Sequence, residues 1–315
     1  MDTLTPAKSI ASVSLLDAER DVEGFSHELG QSFERYGFAV IADHGIPAEL
    51  IARAEAKAKA FFALPDEVKR AYKVGVGGAR GYTPFGIETA KGATHFDLKE
   101  FWHVGRELPA GHRFGDSMPP NVWPAEVESF HDTFLELYDT FDRTGLRILE
   151  AIARHLGLAP DYFEDTVSDG NSVLRLLHYP PVPKEGPNVR AGAHEDINTI
   201  TLLLGAEEAG LQLLDRDGDW LPITSKEGEL VVNIGDMLQR LTNGRLRSTP
   251  HRVVNPTPDR ASNARYSMPF FLHFRSDFCI ETLPNCISAE RPNLYPVPIT
   301  ADEYLQERLR EIKLV

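Results

Sequence analysis

The spacing of apolar positions changes character near Gly157. Ahead of it, Val22, Phe25, Leu29, Phe33 and Tyr36 recur every three or four residues. That period predicts a helix with one buried face, and Gly37 is placed to end it. "FAVIADHGI" follows with the signature of a short strand. Pro47 opens a second helix through Leu50, Ile51, Ala54, Ala58, Phe61 and Phe62, and Pro65 closes it. A third helical period runs from Glu126 to Leu156. Between these helices lies "VGVGGARGYTPFG", which follows a charged helix rather than a strand. Arg80 stands where a phosphate-binding G-x-G-x-x-G needs its last glycine, so the segment reads as a mobile loop.

Beyond "SDGNS" the helical period disappears. "VLRLLHY", "TITLLL", "GLQLLD", "DWLPI", "ELVVNIG", "HRVVN" and "RYSMPFFLHF" are short β-rich runs separated by turn residues. This spacing predicts an antiparallel sandwich or small barrel. "DRDGD" (Asp215 to Asp219) has the look of a calcium loop, but Lys226 occupies the position where an EF-hand needs glutamate. A hairpin turn is the expectation. "ITADEYLQERLREIK" opens on a Thr300/Glu303 capping box and predicts a closing helix.

With 315 residues the chain can bury a substantial core. Its net charge of −14 argues against nucleic acid or an anionic membrane as a partner. Two cysteines, Cys279 and Cys286, exclude a disulfide framework and a cysteine-rich metal site. The start "MDTLTPAKSIASVSLL" has no basic segment leading into an apolar one, and no run is long enough to span a bilayer. A reducing cytoplasm is the expected compartment.

Candidate chemistry concentrates in "AGAHEDINTITLLL". Side chains two apart on a strand share a face, so His194 and Asp196 project together while Glu195 turns away. One imidazole and one carboxylate on a single ion suit iron or manganese better than structural zinc. A second His-x-Asp stands at His95 and Asp97. Two ligands do not hold a catalytic iron, and the β region offers three further histidines. His251 opens a strand after a proline-marked turn, with His178 and His273 as rivals. Arg265 and Ser267 form another pair at strand spacing, and a guanidinium fork beside a hydroxyl is a receptor for a carboxylate.

From Val173 to Phe274, "HYPP", "AHEDINTITLLL", "GLQLLDRDGDWLPI", "LVVNIGDMLQRLTNGRLRSTPHRVVN" and "RYSMPFF" resemble, in order and spacing, the iron(II)- and 2-oxoglutarate-dependent oxygenases of the isopenicillin N synthase-like family. "ERYGFAVIADHGIP", "FFALPDEVKRAY" and "DLKEFW" resemble that family's leading region, so the likeness spans nearly the whole chain. It implies an α+β protein with a mainly β core, a double-stranded β-helix (jelly roll) with flanking helices. The expected organisation is an N-terminal helix and strand region (1–120), a helical support segment (121–168), the jelly-roll core (169–280) and a C-terminal extension with its closing helix (281–315).

The same resemblance implies that iron(II) is held by His194, Asp196 and His251, and that Arg265 and Ser267 grip the distal carboxylate of 2-oxoglutarate. It also implies that Tyr179 reaches the cosubstrate. Plant members carry Asn two residues before that tyrosine, where this chain has Leu177, and His178 replaces a tyrosine. The implied reaction uses O2, converts 2-oxoglutarate to succinate, and hydroxylates or desaturates a small-molecule substrate. Two alternatives accompany it: an iron oxidase of the same family that does without 2-oxoglutarate, and a jelly-roll metal-binding protein or isomerase. The identity of the prime substrate and the oligomeric state are not written in these motifs.

Overall fold

The computed structural model describes residues 10–74, 80–89, 94–182, 186–204, 210–226 and 228–311. Its first half runs β1 (Ser12–Ser14), α1 (Val22–Tyr36), β2 (Phe38–Ala42), α2 (Ala48–Phe62), α3 (Asp66–Arg70), β3 (Gly81–Thr83), β4 (Glu100–Gly105) and α4 (Phe130–His155). After α5 (Glu164–Val167) come β5 (Val173–Tyr179), β6 (Ala191–His194), β7 (Ile200–Leu204), β8 (Leu211–Leu214), β9 (Trp220–Pro222) and β10 (Leu230–Ile234). The chain closes with α6 (Asp236–Leu241), β11 (His251–Val253), β12 (Arg265–Ser267), β13 (Pro269–Leu272), β14 (Cys279–Ile280), β15 (Ile299–Thr300) and α7 (Ala301–Glu311).

Local chemistry explains the element ends. Asp21 caps α1 by accepting from the Gly24 N–H at 2.9 Å, and Gly37 ends it in the left-handed region at φ 70°. The Thr300/Glu303 capping box forms reciprocally: Thr300 N–H donates to Glu303 at 3.0 Å and Glu303 N–H to the Thr300 hydroxyl at 3.2 Å. Asp215 to Asp219 makes the expected hairpin turn between β8 and β9, with the Asp215 carboxylate accepting from the Asp217 and Asp219 N–H groups.

Two sheets form the double-stranded β-helix. The larger has nine strands in the order β1-β2-β10-β7-β13-β5-β4-β3, with β12 also paired to β5. The smaller is β6-β11-β8-β9. Strands of the N-terminal region therefore complete both edges of the larger sheet. Alternation assigns its two faces. On β5, Leu174 and Leu176 join the main core while Arg175, Leu177 and Tyr179 line a cavity; on β7, Ile200 and Leu202 face the core while Thr201 and Leu203 line the cavity. The core face is covered by α4, where Phe141 stacks on Phe270 at 5.5 Å and Tyr138 meets the same ring edge-on at 5.0 Å. Phe270 is fully buried, so Phe270→Ala costs about 3–5 kcal/mol.

Three expectations change. Residues 81–83 form β3 rather than loop, because Tyr82 and Thr83 pair with Trp102 and Phe101 of β4 and are buried; β4 itself carries no alternation, being buried throughout. The remainder of the Gly-rich segment, 75–79, lies outside the described residues, as do residues 1–9 of the N-terminal stretch. The long helix starts at Phe130, not Glu126, since Ser129 takes a left-handed φ of 56° that breaks the helical path. Finally, "RYSMPFF" splits at Met268 into β12 and β13.

Candidate active site

The smaller sheet brings two histidines side by side. His251 on β11 pairs in register with His194 on β6, and their rings lie 4.4 Å apart. Asp196 follows β6 and turns back toward them. His194 Nε2 lies 3.9 Å and His251 Nε2 3.8 Å from Asp196 Oδ1. One donor atom from each residue falls within 4.8 Å of the others, the only such group of three or more metal-ligating side chains among the described residues.

Every other polar atom of these three side chains is occupied. His194 Nδ1–H donates to the Gly192 carbonyl at 2.8 Å and His251 Nδ1–H to the Thr249 carbonyl at 3.1 Å. A carbonyl can only accept, which fixes both tautomers and leaves both Nε2 lone pairs for a cation. Asp196 Oδ2 accepts from the Thr201 hydroxyl at 2.5 Å and from Asn233 Nδ2 at 2.8 Å, leaving Oδ1. The donor set of two imidazole nitrogens and one carboxylate therefore fits a divalent transition metal such as iron(II).

Electrostatics agree with that assignment at His194 and Asp196. Burial, with the His251 charge adding to it, holds His194 down at about 4, so its imidazole is neutral at physiological pH. For Asp196 burial alone would raise the carboxyl. The facing His251 and His194 outweigh it, with Asn233 and Thr201 adding to the effect, and keep the group below its ordinary value.

The loop carrying Asp196 rests on a tight turn. Asp236 N–H donates to the Asp196 carbonyl at 2.7 Å and Gly235 N–H to the Thr199 carbonyl at 2.9 Å. A Cβ at Gly235 would sit 2.0 Å from the Asn198 carbonyl oxygen, so only glycine permits this approach.

Arg265 and Ser267 occupy one face of β12, in register with Tyr179 and Leu177 of β5, and all four line the cavity that contains the three converging residues. The Arg265 guanidinium lies 5.1 Å above the Tyr179 ring. The cavity lies between the two sheets.

The other histidines are accounted for. His178 points to the opposite face of β5, bonding Glu100 at 2.7 Å and stacking on Tyr266 at 4.7 Å. His273 follows the end of β13, its Nδ1–H donating to the Phe271 carbonyl at 3.0 Å. His95 is exposed, and Asp97 bonds Gly192 N–H at 2.9 Å and Lys99 at 2.9 Å. Glu195 sits half-buried outside the converging set, its carboxyl raised first by burial and then by the nearby Asp236 charge.

Four site residues escaped the sequence analysis, Thr201, Asn233, Lys99 and Arg175, and Asp97 stood there only as half of a second His-x-Asp pair. Two carried a signal. Asn233 interrupts "LVVNIG" and Arg175 interrupts "VLRLLHY", each a polar residue inside an otherwise apolar strand.

Comparison with known proteins follows the same division of the chain. Residues 170–274 match the family model of the 2OG-Fe(II) oxygenase superfamily. Residues 9–126 match that of the non-haem dioxygenase in morphine synthesis N-terminal region. A 2-oxoglutarate-Fe(II) type oxidoreductase of Emericella nidulans is 36% identical over 291 residues, covering 89% of this chain and 82% of that protein. Among solved structures, a 2OG-Fe(II) oxygenase family protein from Caulobacter crescentus superposes with a TM-score of 0.92 at 60% identity, covering 97% of this chain and all of that one. A full-length Neurospora crassa protein solved in complex with α-ketoglutarate (2-oxoglutarate) and thymine superposes at 0.85 with 31% identity, 96% of each chain being covered.

Proposed function

Since the chain belongs to the 2OG-Fe(II) oxygenase superfamily, we propose that His194, Asp196 and His251 hold its iron(II), and that Arg265, Ser267 and Tyr179 hold its 2-oxoglutarate. The protein is a 2-oxoglutarate-dependent dioxygenase acting on a small-molecule substrate. One observation carries the residue assignment: Gly192, Thr249, Thr201 and Asn233 occupy every polar atom of the three side chains except the three that converge.

Iron(II), when bound, would supply the site where the keto acid and O2 meet, with O2 as the oxidant for attack on a C–H bond. The rest falls to the chain. Thr201 and Asn233 keep Asp196 ionised and aimed. The Gly192 and Thr249 carbonyls hold both imidazoles in one orientation, with Nε2 toward the converging point. Arg265 takes the distal carboxylate through its planar fork, with Ser267 adding a hydroxyl donor. Leu177, Leu203 and Leu211 line the cavity and keep water from the cosubstrate.

The α-ketoglutarate bound by the Neurospora neighbour favours this cosubstrate over the oxidase alternative. The net charge of −14 supports a substrate met free in solution rather than within nucleic acid. Among the described residues no helix is long and apolar enough to cross a membrane. The test is uncoupled turnover: iron-loaded protein given 2-oxoglutarate and air, without prime substrate, should release succinate. No succinate above the rate of His251→Ala would count against the assignment.

A further inference from the structure

We infer that Arg175 reads the prime substrate, and that this substrate is a neutral amide, lactam or imide presenting a carbonyl oxygen rather than a carboxylate. The inference rests on the oxygenase reading of the site. Arg175 shares the cavity face of β5 with Leu177 and Tyr179. Its guanidinium is sandwiched, 4.3 Å from the centre of the Phe101 ring and 5.2 Å from that of Phe271. Nε donates to His103 Nε2 at 2.6 Å and Nη1 reaches Glu88 at 3.5 Å. Nη2 has no hydrogen-bond partner among the described residues. With rings from β4 and β13, the strands on either side of β5, packed against the guanidinium, that nitrogen is the point a partner can reach.

Arg175 is not a second handle for the cosubstrate. Arg265 is in register with Tyr179, four residues along β5, which places the two guanidiniums' strand positions about 13 Å apart. Arg175 therefore does not share the carboxylate that Arg265 takes. Phe271, beside Arg175, is in register with Thr201, the residue that bonds Asp196. Arg175 therefore lies at the metal end of the cavity and Arg265 at the far end.

Charge decides the class of ligand. Iron(II), dianionic 2-oxoglutarate, Asp196 and Arg265 cancel one another. Beyond them, Lys99 bonds Glu88 at 3.3 Å and Asp97 at 2.9 Å, and Arg175 meets Glu88. Two cations and two carboxylates again cancel. An anionic substrate would leave one uncompensated charge in a confined cavity, whereas a neutral carbonyl satisfies Nη2 and leaves the balance intact.

The probes are matched pairs of equal shape, benzamide against benzoate and orotamide against orotate, titrated calorimetrically into anaerobic iron(II) protein already saturated with 2-oxoglutarate. The neutral member of a pair should bind at least tenfold more tightly. Arg175→Gln should lose at least tenfold of that affinity with 2-oxoglutarate binding changed less than twofold. Should Arg175→Gln not fold, Arg175→Lys, which keeps the charge and loses the fork, carries the same expectation. Glu88→Gln adds one positive charge and should move the preference at least tenfold toward the carboxylates. A wild type that prefers the carboxylates, binds none of the four probes, or is unmoved by the Arg175 variants overturns the inference. Failure of the wild type to bind 2-oxoglutarate, read before any probe is added, would instead sink the cosubstrate assignment.

Discussion

Asp97 accepts a hydrogen bond from the Gly192 N–H at 2.9 Å, and the carbonyl of the same Gly192 accepts the Nδ1–H of His194 at 2.8 Å. A carboxylate from the N-terminal region thus supports, through one residue's backbone, the histidine proposed as a metal ligand. Asp97→Ala leaves that N–H unpaired and removes one of the two carboxylates on Lys99. The expected outcome is about 1–3 kcal/mol lost stability and iron(II) affinity lower by roughly 10–100-fold. Calorimetric iron titration alongside thermal unfolding checks both, and unchanged iron affinity would count against the relay.

The converging set makes its own prediction. His194→Ala, Asp196→Ala and His251→Ala should each weaken iron(II) by more than the roughly 10–100-fold typical of an outer partner. Glu195→Ala should leave iron binding nearly intact, because its carboxylate lies outside the converging set. Iron loss in the Glu195 variant with Asp196→Ala unaffected would reverse the assignment.

Arg265→Lys keeps the charge and loses the planar fork. Binding of 2-oxoglutarate should weaken at least tenfold, about 1.4 kcal/mol. Equal affinity in fluorescence-quench titrations of the two proteins would exclude a bidentate contact.

Acid sensitivity should trace partly to His273, which burial holds at about 4 against an ordinary 6.5. The unfolded chain therefore takes up this proton first, between pH 6.5 and 4. The contribution of neutral His273 is full above pH 6.5 and falls with pH, by up to about 1.4 kcal/mol per unit. His273→Gln removes the titration, so the stability gap between wild type and variant should narrow as pH drops from 6.5 to 4.5. Glu88 acts lower: Lys99 and Arg175 overcome its burial and hold it at about 2, so its share is lost only between pH 4.5 and 2. A gap independent of pH in urea unfolding of the metal-free protein would refute the role of His273.

Most of the fold was legible where a period exists. The helices at Val22–Tyr36 and Ala48–Phe62 carry a clear amphipathic face and distinct ends, and the β runs after Val173 are punctuated by turns. β4 was not legible, because a strand buried on both faces has no alternation to read. At the site, reading "HED" with strand alternation picks out the pair that converges, although only His194 lies on a strand and Asp196 sits in the loop after β6. The partner of that pair is a matter of tertiary register: His251 meets His194 across β11 and β6, 57 residues away, and its proline-marked turn sets it only modestly apart from His178 and His273. The role of Thr201 was hidden for the same reason, since it comes from β7 pairing with β10 beside Asp196, where Asn233 showed itself only as a polar interruption of its strand.

The central claim is that one cavity holds the metal and 2-oxoglutarate together, the keto acid bridging from the His194, Asp196 and His251 end to Arg265. Anaerobic visible absorption tests it most directly, because a charge-transfer band requires the keto group and its neighbouring carboxylate on the same iron. Protein loaded with iron(II) should gain a weak visible band with 2-oxoglutarate and none with glutarate, which lacks the keto group. The Arg265→Lys protein should need at least tenfold more 2-oxoglutarate to reach half of that absorbance. No band at saturating 2-oxoglutarate, or an equal response to glutarate, would contradict the account.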